Sequence, residues 1–479
     1  MGRIVTSDFR HVKCSKKEQK LEDGISQCPD DVLVSILSYL TLEDAARTSV
    51  LSKRWVNLWL FVSGLDFDTA KVWKGLEELK YSEYHELRRI NRQNYINWVN
   101  KVLQSHKATA LDVFRIRFDL NNSSRDEIDK WLHYASARNL QSLELNLLRY
   151  DGFSFEVREA YAFPPDLLGP SYENPSAPFP DGINSFVFKN LRTLAFKSVA
   201  VSGEVVRFFL HNCPFLECLT VNNSHILDKF EVCGPSFALK HLEITDCPKL
   251  VSLIVSGANL VSLRFTERAK NSLVIKNVPN LVDLNIVWSP LGFSIGRMIS
   301  CLCCCLSMLE ILTFKVLACD ITYDYYEDVG GVVAVPQLTR LKQLTVVVGG
   351  PKDESLIPFT SLIRASPNLE KFIVKFGSLS KPPKKRRASW KGLAFPLERL
   401  QVVEILGYTG RVTEMELVEY FLENVVALKR IVIDPRDQLR LPTHTNHHPH
   451  DNPKDTIYRD LAKQQFQGLL PSEVELVLL

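Results

Sequence analysis

Two groups of residues in this 479-residue chain carry side chains that could bind a metal ion. The first is the segment 301–305, where Cys301 and Cys304 have the C-x-x-C spacing found at zinc sites. Such a site needs a second pair of ligands at a matching distance, and the next cysteine, Cys319, stands alone. We therefore expect buried thiols in this segment, and neither a metal nor a cofactor.

The second group consists of His444, His447, His448 and His450. These histidines lie among Thr, Asn and Pro residues, a composition that is typical of a loop and does not favour a metal site. Motifs of the common catalytic sites are also absent from the sequence: there is no P-loop, no G-x-G-x-x-G, no H-E-x-x-H and no G-x-S-x-G. The sequence therefore favours a binding protein over an enzyme.

The composition is that of an ordinary globular protein, with 46% apolar and 24% charged residues. The net charge of +3 is too small to indicate nucleic acid or an anionic membrane as a partner. No apolar run reaches the ~18 residues of a membrane helix. Residues 1–21 are basic with no apolar run behind them, so we expect a disordered arm rather than a secretory signal. The expected location is the nucleus and/or the cytoplasm, where the 11 cysteines would be free thiols.

One short pattern recurs through most of the chain: an apolar residue, two others, an apolar residue, one other and a final apolar residue. The alternation over the last three positions predicts a short strand with one buried face. Its eleven copies begin at Leu111, Leu140, Leu191, Leu216, Leu239, Leu260, Leu281, Leu309, Leu341, Leu369 and Leu428.

The spacing of these copies predicts a stack of similar units. Leu239, Leu260 and Leu281 follow one another at intervals of 21 residues, and a strand every ~20–29 residues is typical of leucine-rich repeats. Second apolar stretches at 250–255 and 272–275 fall half a repeat away and should line the opposite wall of the coil. Longer intervals elsewhere leave room for helices on the convex side. We expect a right-handed α/β horseshoe of leucine-rich repeats over residues 111–390.

Two inserts interrupt the repeats. Residues 150–182 contain six prolines and are expected to form a long surface loop. The basic loop 377–391 contains the run KPPKKRR at 381–387. Such a run is typical of a nuclear import signal or a polyanion-binding patch, and it also fits a solvated loop between repeats; the sequence leaves these possibilities open.

Residues 28–60 have helical periodicity instead. Pro29 precedes two aspartates, which suits a helix start because carboxylates favour the positive end of the helix dipole. Thr41 with Asp44 resembles a capping box and predicts a second helix, and Ser52 is expected to cap a third. Three such helices cannot bury all of their apolar surface among themselves, so the module should dock onto another surface.

These residues carry a resemblance to a known family. The segment CPDDVLVSILSYLTLEDAARTSVLSKRWVNLW (28–59) resembles an F-box of the plant type, and NYINWVNKVLQSH (94–106) is similar to the linker that follows it. Residues 396–433 resemble the FBD motif, and they also fit two more repeats with strands at 400–405 and 428–433. The chain is identified as a member of the plant F-box/FBD/leucine-rich-repeat family. The resemblance implies an F-box at 22–68, a helical linker at 69–110, repeats at 111–390 and an FBD domain at 391–479.

The resemblance further implies a non-catalytic substrate receptor of a Skp–cullin–F-box ubiquitin ligase. In that family the F-box binds a Skp-type adaptor, which connects it to the cullin and the RING subunit, while the repeats hold the target. Two alternatives stay open: a repeat scaffold without a role in ubiquitin transfer, and a co-receptor for a small, hormone-like molecule. The residues expected to contact the adaptor are Pro29, Leu33, Ile36, Leu37, Leu40, Val50, Leu51 and Trp55.

The target is not indicated by any motif. Side chains between the apolar positions of the strands should line the concave face, where they could select a partner. Examples are Lys240, His241, Glu243, Ser262 and Arg264.

Overall fold

The computed structural model describes residues 24–68, 81–147, 160–168, 188–234, 238–267, 272–288, 299, 302–303, 305–317, 335–349, 360–377, 397–436 and 453–479. The chain divides into two compact units, Met1–Val62 and Ser63–Leu479. The basic arm 1–21, the basic run 381–387 and the histidines at 444–450 lie outside the described residues, so what the sequence indicates for them stays a prediction.

Short helices build the first unit. They are α1 (Gly24–Gln27), α2 (Asp30–Leu37) and α3 (Leu42–Arg47), followed by 3-10 helices at Thr48–Val50 and Trp55–Phe61. Thr41 caps α3, because its Oγ1 accepts a hydrogen bond from the backbone N–H of Asp44 at 3.2 Å. The prediction that Ser52 caps the last helix was wrong, because the helical backbone begins only at Trp55, after Arg54. Ser52 instead offers its carbonyl to the N–H of Trp55.

Among its described residues, the second unit contains a parallel sheet of fourteen strands and a smaller parallel sheet of three. The strands of the large sheet, in spatial order, are β1 (Gly64–Asp68), β2 (Val113–Arg117), β3 (Ser142–Asn146), β4 (Thr193–Lys197), β5 (Cys218–Asn222), β7 (His241–Thr245), β9 (Ser262–Glu267), β11 (Asp283–Trp288), β12 (Ile311–Leu317), β13 (Gln343–Gly349), β14 (Lys371–Phe376), β15 (Val402–Leu406), β16 (Arg430–Asp434) and β17 (Glu475–Leu478). The small sheet consists of β6 (Lys229–Cys233), β8 (Ser252–Ser256) and β10 (Ser272–Lys276).

The repeat pattern accounts for the core of this unit. All eleven copies place their three apolar residues inside, and none of those side chains is more than 8% exposed. The half-repeat stretches at 250–255 and 272–275 form β8 and β10, so the predicted second wall is present as the small sheet. A parallel sheet whose chain winds in one direction through these copies is the predicted α/β leucine-rich-repeat solenoid.

Helices occupy several of the connections between strands. They are α4 (Tyr81–Ser105), α5 (Arg125–Ser136), α6 (Gly203–Asn212), α7 (Thr360–Arg364), α8 (Val412–Asn424) and α9 (Pro453–Phe466). The predicted linker helix at 94–106 is the second half of α4, and its residues Val99, Val102 and Leu103 are buried. Tyr95 of the same helix is buried too and donates a hydrogen bond to the carbonyl of Phe67 at 2.7 Å. No described helix is long and apolar enough to cross a membrane.

The ends of the solenoid differ from the predicted boundaries. Strand β1, which the sequence analysis placed in the 22–68 module, pairs with β2 and belongs to the second unit. At the other end, β15, β16 and β17 extend the large sheet in register from β14, so residues after 391 continue the repeats. The FBD-like segment therefore forms further repeat units, as the second interpretation of that segment predicted.

The proline-rich insert also differs from a surface loop where it is described. Residues 160–168 contain buried side chains at Tyr161, Phe163, Leu167 and Leu168. Ala162 forms a bridge with Ala200, and the ring of Phe163 packs against Phe196 and Phe209. A count of prolines does not reveal these apolar anchors, so the loop prediction was wrong for this part of 150–182.

Candidate protein-interaction surfaces

The apolar residues of α2 divide into an inner and an outer row. Leu33 and Leu37 are 0% and 1% exposed, because α2 packs against the 3-10 helix Trp55–Phe61. Val32 and Ile36, each one position earlier, are exposed on the adjacent side of the helix. On an α-helix, residues that are four positions apart lie on the same side and consecutive residues lie on neighbouring sides. A single wide apolar stripe on α2 can therefore face both the core of the unit and the solvent.

The sequence-predicted adaptor residues therefore separate into two groups. Leu33 and Leu37 lie in the core of the first unit and act there through packing, and Trp55 is half-buried. The other members of the set are on the surface and are Pro29, Ile36, Leu40, Val50 and Leu51. Five further exposed apolar residues of this unit were not in the predicted set, and they are Ile25, Val32, Tyr39, Val56 and Phe61.

Two exposed aliphatic residues, Val50 and Leu51, lie at the end of the 3-10 helix that follows α3. Val50 is 87% and Leu51 is 64% exposed, although both are branched aliphatic residues. The turn that carries them is fixed by side-chain bonds, because Thr48 Oγ1 donates to the carbonyl of Ala45 at 2.7 Å and Ser49 Oγ to that of Val56 at 3.2 Å. These hydrogen bonds therefore hold two exposed apolar side chains in place at the surface of this unit.

Arg54 ties the beginning and the end of the module together. Its Nε donates to Oδ1 of Asp30 at 2.8 Å, and its Nη2 donates to the carbonyl of Cys28. The bonds join residues 24 and 26 positions apart in sequence, so they hold the start of α2 beside the last helix. The Cys28-Pro29 start of the motif is thus anchored through its backbone, which does not depend on the side chain at position 28.

A second surface lies on the large sheet of the second unit. We call the side chains at the first, third and fifth positions of its strands the open face. These positions alternate with the core positions. On β1, β2, β5 and β11 these positions are accessible and mostly polar, with Val113 and Val287 as apolar exceptions, whereas the second and fourth are buried. On β13, β14 and β16 the third position is buried as well, at Thr345, Ile373 and Val432.

The N-terminal part of the open face is a network of ion pairs. Arg115 lies between Asp66 and Glu144, with its Nη1 2.6 Å from Oδ2 of Asp66 and its Nε 2.8 Å from Oε2 of Glu144. Glu144 also accepts from Nζ of Lys197 at 3.0 Å, and Arg117 pairs with Asp68 at 2.8 Å. Three carboxylates thus match three cations.

This network shifts the acid–base equilibria of its carboxylates in opposite directions. Burial raises the pKa of Glu144, but the hydrogen bond and charge of Lys197, with the two arginines, outweigh it and hold that pKa below its usual value. For Asp66 burial dominates, and Arg115 offsets only part of it, so the pKa is raised. The charges in this part are largely satisfied within the protein.

The central part of the open face holds the residues that the sequence analysis placed on the concave side. Nδ1 of His241 lies 2.8 Å from Oγ of Ser262, and Arg264 lies 3.6 Å from a carboxylate oxygen of Glu243. Lys240 precedes β7 and instead donates to Glu217 at 2.9 Å on the rim of the sheet. The structure thus brings four of the five together.

Sequence reasoning missed two members of this central group, Asp283 and Asn285. They are in register with Ser262 and Arg264 on the neighbouring strand. The signal was present in the regular 21-residue interval between these repeats (283 − 262 and 285 − 264), which carries each exposed position onto the next strand.

The thiol segment has no metal-binding arrangement among the described residues. Cys305 is buried, and its Sγ donates to the carbonyl of Leu302 at 3.3 Å, whereas Cys303 is exposed. Cys301 and Cys304 lie outside the described residues. In the part of the chain that the structure describes, no group of three or more His, Cys, Asp or Glu side chains could hold a metal ion.

Comparison with known proteins decides what these two units are. The profile of the family described as At1g61320/AtMIF1, LRR domain, matches residues 102–459, which is more than half of the chain. The chain belongs to this leucine-rich-repeat family. An F-box domain profile matches residues 25–63, so the protein carries an F-box in its first unit.

Relatives from Arabidopsis thaliana have the same organisation in their names. The F-box/LRR-repeat protein At3g28410 is 29% identical over 222 residues, 44% of this chain and 41% of that protein. The FBD-associated F-box protein At1g61330 is 23% identical over 96% of this chain and 100% of that protein. The F-box/FBD/LRR-repeat protein At1g78750 is 24% identical over 87% of this chain and 91% of that protein. The predicted membership in the plant F-box/FBD/leucine-rich-repeat family is confirmed.

Proposed function

We propose that this F-box/LRR protein is the substrate receptor of a Skp–cullin–F-box ubiquitin ligase. Its F-box would bind a Skp-type adaptor and, through it, the cullin and the RING subunit, while the repeats bind a target protein. The observation that carries the proposal is the pair of exposed aliphatic residues, Val50 and Leu51, on a turn fixed by hydrogen bonds within an F-box.

The adaptor-binding surface would be the exposed apolar side of the F-box. Ile36 and Leu40 lie one helical turn apart along α2 and its end, and Val50 and Leu51 add the turn after α3. Burying such side chains against a partner removes apolar area from water at roughly 25 cal/mol per Å². Leu33 and Leu37 would support this surface from below by fixing α2 in place.

The function needs no catalytic group in this chain. A receptor that holds a target and an adaptor at once raises the effective concentration of the target's lysines near the charged ubiquitin-conjugating enzyme. The family of F-box and leucine-rich-repeat proteins is typically non-catalytic, in agreement with the absence of catalytic motifs in the sequence. We propose the nucleus and/or the cytoplasm as the location, where such a complex would act.

A pull-down with purified proteins tests the proposal. The tagged full-length chain is mixed with a Skp-type adaptor and a cullin, and the retained proteins are quantified. We expect both to be retained by the unchanged chain, and adaptor binding to fall at least about tenfold in the double variant Val50→Glu, Leu51→Glu, because buried charges are costly at an apolar interface.

The matched control is Val426→Glu, which places the same charge on a valine that is 76% exposed in the second unit. It should retain the adaptor fully. An unchanged chain that binds no adaptor, or a double variant that binds it normally, would contradict the proposal. Binding of adaptor without cullin would favour the alternative of a repeat scaffold.

A further inference from the structure

Asp283 differs from the other carboxylates on the open face. The carboxylate residues at first, third and fifth strand positions are Asp66, Asp68, Glu144, Glu243, Asp283, Glu404, Asp434 and Glu475. Within the described residues, seven of these eight have a Lys or Arg nitrogen within ion-pair distance. Asp283 makes neither an ion pair nor a hydrogen bond with its side chain among those residues.

The cation nearest in register to Asp283 is already engaged. Arg264 lies on the adjacent strand, but two positions further along it, and pairs with Glu243 of the strand beyond. Directly opposite Asp283 on that strand is Ser262, whose hydroxyl is within hydrogen-bond distance of His241. The carboxylate of Asp283 is half-buried and has no hydrogen-bond donor among the residues that the structure describes.

An aliphatic side chain flanks Asp283 on the other side. Ile311 of β12 is in register with it and is 36% exposed, which makes it one of the accessible large apolar side chains of the second unit. An accessible aliphatic surface next to a carboxylate complements lysine and arginine, whose apolar stems pack while their charged ends pair. Strands β11 and β12 present both halves of such a site, about 5 Å apart.

We propose that Asp283 and Ile311 form a subsite for a lysine or arginine side chain of the target protein, with Ser262 and Asn285 as neighbouring hydrogen-bonding groups. This inference rests on the proposed function, in which the repeats bind a target. The N-terminal part of the open face is a poorer candidate for this subsite because its charges pair with one another. The part on β13, β14 and β16 is also a poorer candidate, because the third positions of those strands are buried.

The electrostatics of Asp283 agree with this assignment. Burial raises the pKa of its carboxyl, and the charges of Arg264 and His241 offset only part of that effect. An incoming ammonium or guanidinium group would stabilise the ionised form that burial disfavours. The side chain is therefore suited to a partner that brings its own positive charge.

Selection from a peptide library tests the proposal without knowledge of the target. The full-length chain is immobilised, random displayed nonapeptides are selected on it, and the recovered sequences are compared with those selected on variants. We expect a Lys or Arg enriched at one position. In a synthetic copy of the best peptide, replacing that residue by norleucine should weaken binding about tenfold, the loss of one partly desolvated charge pair.

Variants at Asp283 separate a binding role from a structural one. Asp283→Asn should abolish the basic preference, and Asp283→Lys should replace it by a preference for Asp or Glu, which no loss of folding would produce. The matched control Glu310→Gln changes a rim carboxylate that already binds Arg340 and Lys342, and it should keep the basic preference.

The outcome is distinct from that of the proposed function. No enriched peptide, no basic preference, or the same preference with Asp283→Asn would overturn the subsite. Adaptor binding is measured on the same protein samples; if it is intact while the library result is negative, the subsite alone is wrong. If the unchanged chain does not bind the adaptor, that result would contradict the proposed function instead.

Discussion

Arg88 of α4 and Asp119, which lies two residues after the end of β2, form a buried ion pair. Their side chains are 9% and 1% exposed, and both Nε and Nη2 of Arg88 donate to the carboxylate. Arg92, one helical turn later, donates from Nη2 to the same carboxylate at 2.8 Å and from Nε to the Asp119 carbonyl at 2.7 Å. One aspartate thus fixes two turns of the linker helix against the first strands of the solenoid.

Replacing Asp119 by alanine should destabilise the second unit strongly. The change leaves two buried or half-buried arginines without their carboxylate, and breaking a buried pair costs about 3–5 kcal/mol. Urea denaturation followed by tryptophan fluorescence measures the free energy of unfolding. The control Glu86→Ala removes an exposed partner of Arg89 on the same helix and should change it by less than about 1 kcal/mol. Equal effects of the two changes would contradict this role of Asp119.

Glu144 gives the solenoid a pH-dependent stability. Because its folded-state pKa lies below the unfolded value of about 4.3, the ionised form stabilises the folded state at neutral pH. That contribution is lost as the pH falls from the unfolded pKa through the folded one. Glu144→Gln should therefore be less stable than the unchanged protein at pH 7, and the gap should narrow below about pH 4. A gap that is constant between pH 7 and pH 3 would show that Glu144 acts through packing alone.

The sequence predicted the repeat copies because each one repeats the same physical requirement. Leu263, Phe265 and their equivalents must alternate with accessible residues for a short strand to cover a continuous core, and this alternation is visible in the sequence. Strand β1 was missed because α4 and residues 69–80 separate it from β2 by 49 positions (113 − 64), far outside the usual interval. β17 was missed because it lies beyond the last recognisable copy.

The division of α2 into inner and outer rows could not be predicted from periodicity. Leu33 and Ile36 belong to one wide apolar stripe, and hydrophobicity is the same whether a residue faces its own core or a partner. The network around Arg115 was also missed, since it joins Asp66 and Glu144, which are 78 positions apart (144 − 66). Only the register of β1, β2 and β3 brings these residues together.

Gly407 permits a close approach between two neighbouring repeats. It follows β15 with φ +81°, and a Cβ atom there would lie 2.2 Å from the carbonyl oxygen of Phe376, at the end of β14. Gly407→Ala should therefore cost both the left-handed strain of about 1–2 kcal/mol and the displacement of a backbone carbonyl. Gly468→Ala is the matched control, because Gly468 has φ +78° and no heavy atom within 4 Å of its Cβ position. Thermal unfolding should show the larger loss for Gly407→Ala, and equal losses would rule out the contact with Phe376.

Leu33 and Val50 should respond in opposite ways to the same truncation. Leu33→Ala removes a side chain that is fully buried in the F-box, so it should destabilise this unit by about 2–5 kcal/mol and reduce adaptor binding only through that loss. Val50→Ala removes a side chain that is 87% exposed, so it should leave stability within about 0.5 kcal/mol and weaken adaptor binding directly. Proteolysis rates of the F-box measure the first quantity, and titration with purified adaptor measures the second. If Leu33→Ala weakened binding while the F-box stayed as resistant to protease as the unchanged protein, the buried position of Leu33 would not describe the adaptor-bound state. A double change of Leu33 and Ile36 to alanine would mix the two effects, because Leu33 is buried and Ile36 is exposed. The pair of single changes at Leu33 and Val50 separates the support of the surface from the surface itself.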